Sequence, residues 1–126
     1  MSKTTINSEN APAPIGPYSQ AVMAGDTLYV SGQIPLDAAS GKLISGDIAE
    51  ETHQVMKNIG FVLEEAGLSY NNIVKCSIFI KDMDDFVKIN DAYGTYFEVE
   101  PPARETVEVS RLPKDVRVEI SCIAVK

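Results

Sequence analysis

Arg104 and Glu119 are the residues of this chain whose types and setting could do chemistry with side chains alone. They lie in PPARETVEVSRLPKDVRVEI (101–120), where two alternating stretches flank a turn at Leu112-Pro113. In the first stretch Arg104, Thr106 and Glu108 share one face, with Val107 and Val109 opposite. In the second, Arg117, Glu119 and Ser121 share a face, with Val118, Ile120 and Cys122 opposite. Read as a hairpin closed at Leu112-Pro113, the register sets Thr106 opposite Glu119 and Arg104 on the diagonal. An arginine fork holds a carboxylate through two parallel hydrogen bonds, and a nearby Glu can move protons. The same pattern also fits a cross-strand ion pair on a solvated face, worth about 0–1 kcal/mol. Pattern alone leaves both readings open. Two details bear on the choice. The rigid Pro-Pro-Ala approach fixes where the Arg104 backbone starts, and Asn90 lies between Phe86 and Tyr93 on an apolar helix face, where its amide needs a partner.

Other chemistries lack their residues. His53 is the single histidine, and it falls on the flank of its helix, away from any Ser or Cys nucleophile pattern. Cys76 and Cys122 are far apart and in phase with Val and Ile, so both read as small core hydrophobes, and with one His they make no zinc site. Gly41-Lys42 ends like a phosphate loop, but Leu43 replaces the Ser/Thr and Leu36 the first Gly. Asp82-Met83-Asp84-Asp85 begins like a calcium loop, but Val87 stands where that loop requires Gly. Acid–base chemistry without metal or organic cofactor is what remains.

The balance of charge narrows the partners. Eleven basic against eighteen acidic residues give a net charge of −7. A nucleic-acid binder needs a basic footprint to replace phosphate counterions, and no basic run exists, so no nucleic acid is expected. An anionic membrane surface would repel such a chain. The opening MSKTTINSENAPAPIGPY lacks the apolar region of a signal peptide, and no apolar run reaches about 18 residues, which predicts a cytoplasmic protein. A small-molecule or protein partner fits better.

These side chains need a frame, and 126 residues with 44% hydrophobic content suffice for one core without staples. No repeat or linker divides the chain, so 1–126 reads as a single domain. The Pro-rich opening (Pro12, Pro14, Pro17) is irregular, extended over the surface or across a groove. Strands are predicted over 19–24 and 27–31 around the Gly25-Asp26 turn, then a loop over 32–47. A helix follows, with Asp47 as N-cap and Glu50 completing a capping box. Its apolar face is Ile48, Thr52, Val55, Met56, Ile59, Val62, Leu63 and Ala66, and Gly67 is its C-cap. Next come a strand over 73–80, with Val74, Cys76, Ile78 and Ile80 on one face, and a second helix over about 84–97 with Phe86, Ile89, Tyr93 and Phe97 as its stripe, stopped by Pro101-Pro102. The order βββαβαββ gives an α+β or mixed fold, one sheet of about six strands with two helices covering one face. Tyr29, Phe79, Val107, Val109, Ile123 and Val125 are apolar on the opposite parity. With no spare element to bury that face, other copies of the chain are the simplest cover.

IGPYSQA (15–21), VSGQIP (30–35) and the 101–120 run together resemble the YjgF/RidA family of reactive-intermediate deaminases, also called L-PSP endoribonuclease-like. The likeness spans essentially the whole chain. It implies a chorismate-mutase-like fold assembling as a homotrimer, with the sheets forming a central barrel and clefts at the subunit interfaces. It also implies hydrolysis of 2-imino acids, released by pyridoxal-phosphate dehydratases, to 2-oxo acids and ammonia. Arg104 then matches the clamp for the substrate carboxylate and Glu119 the acid that positions water and shuttles protons. Tyr18 and Ser31 match cleft-lining residues, Gly32 admits a close backbone approach, and Asn90 matches an asparagine of the second helix. Thr106 stands where many members carry Cys, which removes any reactive-thiol role, and Glu105 stands where a small or apolar residue is usual. The family's other label, an RNA-cleaving or translation-inhibiting protein, fits poorly with the acidic composition and the absence of a catalytic His. A non-catalytic sensor of 2-oxo acids would keep Arg104 but has no need of Glu119.

Overall fold

The computed structural model describes residues 2–126. Its strands are β1 (Lys3–Ile6), β2 (Ala21–Ala24), β3 (Thr27–Gln33), β4 (Leu36–Asp37), β5 (Lys42–Leu43), β6 (Ile73–Ile80), β7 (Ala103–Glu108) and β8 (Val118–Val125), with helices α1 (Ile48–Glu65) and α2 (Phe86–Gly94). β4 and β5 form a small ribbon in the segment expected to be loop. The other six strands make one mixed sheet in the order β1-β2-β3-β8-β6-β7. β1 is an addition to the expected strands: the β-branched run Thr4-Thr5-Ile6 pairs antiparallel with β2, ahead of the irregular Pro-rich segment.

α1 forms over the predicted span with Asp47 as its N-cap, although Glu50 does not complete the expected capping box. The Asp47 carboxylate accepts the Ala49 N–H at 3.1 Å, satisfying a donor that the helix cannot. Ile48, Thr52, Val55, Met56, Ile59, Val62 and Leu63 are all buried. At the far end Gly67 adopts φ +76°, and Leu68 N–H bonds back to the Leu63 carbonyl at 2.8 Å, closing a Schellman turn. α2 is shorter than expected. Met83–Asp85 is a 3-10 turn, and the α-helix ends at Gly94 rather than running on toward the prolines. Its stripe still packs inward, with Ile89 and Tyr93 buried and the Tyr93 and Phe97 rings 4.9 Å apart.

The C-terminal hairpin does not exist. β7 runs parallel to β6, with α2 as the crossover that a parallel pair requires, and β8 runs antiparallel to both β6 and β3. β6 therefore lies between β7 and β8. The physical reason is burial. β8 alternates buried residues from Val118 to Ala124 and β6 from Cys76 to Ile80, which suits central positions. β7 carries Arg104, Glu105 and Glu108, which suits an edge. One further detail shifts. The β6–β8 register slips between Ile73 and Lys75, so Ile73 is buried and Val74, expected inside, is 48% exposed.

The helices cover one face. Leu28, Val30, Cys76, Ile78, Ile80, Val118, Ile120, Cys122 and Ala124 lie beneath them in the core. Cys76 and Cys122 sit opposite each other as buried free thiols, in the hydrophobic role expected of them. The other face carries Tyr29 (50% exposed), Val107 and Val125, with Phe79 and Ile123 between them, the predicted apolar surface without a cover in a single chain. No helix among the described residues is long and apolar enough to cross a membrane.

Candidate active site

Glu119 sits on the open face of central strand β8, beside Phe79 of β6. On its other flank β3 carries an extra residue relative to β8 between Val30 and Gln33, a bulge formed at Ser31-Gly32. The bulge lays Gly32 against the Glu119 carboxyl group. A Cβ at Gly32 would lie 2.5 Å from Oε2 and 2.7 Å from Cδ, so only glycine leaves that carboxyl where it is. Ser31 ties the strand to the segment before β2: its Oγ donates to the Ser19 carbonyl at 2.6 Å and its N–H to the Gln20 carbonyl at 2.9 Å. Tyr18 stands at the head of that segment, its hydroxyl accepting the Ile15 N–H at 3.3 Å. Tyr18, Ser31, Gly32 and Glu119, with Ile15 and Pro113, line one cavity of about 360 Å³. Glu119 makes none of the ion pairs found among the described residues, and burial pushes its carboxyl pKa up.

Arg104, Thr106 and Asn90 are brought together elsewhere. On β7, Arg104 lies beside Cys76 and Thr106 beside Ile78, which puts both on the helix-facing side of the sheet. Arg104 Nη1 donates to Asn90 Oδ1 at 2.5 Å, the partner that the Asn90 amide required. The Thr106 hydroxyl oxygen is buried without a hydrogen-bond partner among the described residues. Thr106 therefore does not face Glu119: across β6, the residue in the row of Glu119 is Val107, through Phe79. Nor do Arg104 and Glu119 pair. They occupy opposite faces of the sheet, so the cross-strand ion pair is overturned with the hairpin that implied it.

Two charged neighbours also find their own partners. Glu105 points to the open face, where Ser77 and then Lys75, whose Nζ is 3.0 Å away, hold its carboxyl below the usual carboxylate range. Arg117, expected beside Glu119, turns instead to α1. Its Nε donates to Glu51 at 3.0 Å, its Nη2 to the same carboxylate and to the Gly46 carbonyl. Glu51 is 5% exposed on the buried side of α1, a position its charge did not suggest. This pair pins the start of β8, just before Glu119. His53 lies half-buried on the flank of α1, bonded through Nδ1 to the Tyr96 hydroxyl at 2.9 Å and remote from both groups.

A two-helix layer on a mixed sheet is the fold that solved structures of kindred proteins share. The chain belongs to the YjgF/RidA family, the family described as Endoribonuclease L-PSP, whose profile matches residues 8–126. A RutC family protein of Pyrococcus horikoshii is 53% identical, with 98% of each chain covered. The 2-iminobutanoate/2-iminopropanoate deaminase of Mus musculus is 47% identical, covering 98% of this chain and 92% of its own. The crystal structure of the Rid family protein YyfA from Yersinia pestis is 48% identical and covers 99% of this chain and 100% of its own, with a TM-score of 0.96.

Proposed function

We propose that the protein hydrolyses 2-imino acids, 2-iminobutanoate and 2-iminopropanoate, to 2-oxo acids and ammonia, using its own side chains for the proton transfers. The observation that carries this reading is the Glu119 carboxyl: half-buried, in no ion pair among the described residues, admitted by Gly32 and open to a cavity with room for a small acid. Arg104 binds the substrate carboxylate through its planar fork. Glu119 orients a water molecule and takes its proton as the oxygen attacks C2 of the iminium. The carbinolamine that results receives that proton on nitrogen, the C–N bond breaks as Glu119 takes the hydroxyl proton, and ammonia leaves a 2-oxo acid and carries that proton away as ammonium. Burial suits Glu119 to this, because a carboxyl pKa raised toward neutrality holds and releases a proton more readily at working pH. The relative from Mus musculus is named for the same reaction.

Within one chain Arg104 and Glu119 lie on opposite faces, so the cleft in this reading is shared: Glu119 and Tyr18 from one copy meet Arg104 from the next. The apolar open face, with Tyr29, Val107 and Val125, supports a homotrimer whose sheets enclose a central barrel. Light scattering is expected to return three times the 13.7 kDa chain mass. A mass near 13.7 kDa would exclude the shared cleft. Activity is tested with threonine and a dehydratase supplying the imine: ammonia release accelerates when this protein is added. A protein that binds 2-oxobutanoate without accelerating release is a sensor, and the deaminase reading then fails.

Gly32→Ala tests the close approach. The Cβ displaces the flexible end of Glu119 rather than backbone, so the melting temperature changes little. The carboxyl moves from its place against the β3 bulge, and turnover falls by about tenfold or more, since a misplacement of ~1 Å costs that much and up to about a hundredfold. Unchanged turnover in a folded Gly32→Ala protein would detach Gly32 from the site.

A further inference from the structure

Phe86, Asn90 and Tyr93 follow one another at steps of four and three along α2, and all three reach Arg104. The Arg104 guanidinium carbon lies 5.8 Å from the Phe86 ring centroid and 5.2 Å from that of Tyr93, while Nη1 donates to Asn90 Oδ1. We propose that this helix face is a cradle that fixes the Arg104 fork before any carboxylate arrives, with Phe86 and Tyr93 as positioning residues. The proposal rests on the deaminase reading for what the fork then binds.

Three features support it. First, Arg104 joins no ion pair among the described residues, and its neighbour Glu105 is turned to the opposite face by Ser77 and Lys75. No acid competes for the fork. Second, the bond to Asn90 uses Nη1 and leaves the Nε–Nη2 edge open, the edge that takes a carboxylate through two parallel bonds. Third, Arg104 is exposed on an edge strand, where an arginine without contacts would sample many rotamers. Aromatic faces hold the cation by their quadrupole. The Tyr93 hydroxyl takes no part: it is buried beside the Cys76 sulfur without a conventional hydrogen-bond partner. The ring is what acts on the arginine.

A cradle that pre-orders the fork changes binding of substrate and transition state alike. Tyr93→Leu is therefore expected to raise KM by about tenfold with kcat held within about twofold. Tyr93→Phe, which keeps the ring and drops the unpartnered hydroxyl, restores the wild-type KM. Phe86 is only half-buried, so Phe86→Leu repeats the test if Tyr93→Leu loses its cooperative melt. A KM that rises as much in Tyr93→Phe as in Tyr93→Leu overturns the proposal. So does a KM that moves in neither leucine variant. A second readout needs no turnover: the Arg104 Nε–H resonance of the free protein, assigned with Arg104→Lys as the blank. It is expected to be displaced by the ring currents and to return toward the position of exposed arginines in Tyr93→Leu. An undisplaced signal in the wild type excludes the cradle, whatever the enzyme does. A displaced signal that 2-oxobutanoate leaves unmoved excludes its role toward substrate and places the fault in the carboxylate-clamp reading instead.

Discussion

Replacing Arg104 with lysine is expected to lower kcat/KM for 2-iminobutanoate by about a hundredfold, the larger part of it in KM. Lysine keeps the positive charge but loses the planar fork, so one of two parallel charge-assisted bonds to the carboxylate has no donor in place. Hydrogen bonds to charged groups contribute about 1.5–3 kcal/mol, which spans roughly ten- to over a hundredfold. The cradle on α2 is shaped for a flat guanidinium between two rings and an amide, and a flexible ammonium does not fill it. The fold, by contrast, asks little of Arg104. It is exposed on the edge strand, and the one hydrogen bond its side chain makes among the described residues is to Asn90. Melting temperature and assembled mass are expected to stay at wild-type values. Steady-state kinetics with the coupled dehydratase, beside a thermal melt, check both halves, and wild-type kinetics in the lysine variant would make Arg104 a structural residue.

What the sequence makes legible here is local order, and what it hides is which strands meet. α1 announces itself because Asp47, Gly67 and the spacing from Ile48 to Leu63 all point to one helix, and β6 has the bounds its alternation predicts. The hairpin of 101–120 failed on the usual tendency of successive strands to pair. The correcting signal lay in composition: three charges on β7 mark an edge, and the unbroken alternation of β8 marks a centre. The same failure set Thr106 and Arg104 across from Glu119. Parity correctly set Arg104 and Thr106 on one face of their strand and Glu119 and Ser121 on one face of theirs. Nothing in parity says whether two faces are the same face, and they are not. The bulge at Ser31-Gly32 is equally invisible to alternation, since it changes the count of residues on only one of two paired strands. Of the residues that the resemblance to YjgF/RidA proteins names together, Tyr18, Ser31, Gly32 and Glu119 line one cavity, while Arg104, Asn90 and Thr106 lie on the other face, a division that periodicity does not carry. Glu51 escaped both, since a carboxylate on a buried helix face is expected only when its partner, Arg117, is already placed.

Glutamine at position 119 separates the catalytic from the structural reading by moving two observables in opposite directions. Glutamine fills the same space against Gly32 but cannot exchange a proton, so imine hydrolysis is expected to fall by about two to four orders of magnitude, the usual size of general acid–base assistance. Binding of 2-oxobutanoate is expected to survive, because in the proposed reading Arg104 holds the carboxylate. Stability goes the other way. The Glu119 pKa is raised in the folded chain by burial, with no ion-pair partner among the described residues, so the folded state holds this proton more tightly than the unfolded state does. At pH below the ordinary glutamate value both states are protonated and the carboxyl costs nothing. As pH rises through the raised folded value, the buried charge appears and stability is lost. The wild type therefore weakens over that window, whereas Glu119→Gln does not titrate there. Thermal melts are expected to show the variant more stable than the wild type at neutral pH, with that advantage vanishing in acid. An ion-pair partner would behave in the reverse manner: its folded pKa would be lowered, glutamine would cost stability at neutral pH, and turnover would barely change. Undiminished deaminase activity in a folded Glu119→Gln protein would end the catalytic assignment, and a loss of neutral-pH stability would mean that a cation stands beside Glu119 in the assembled protein.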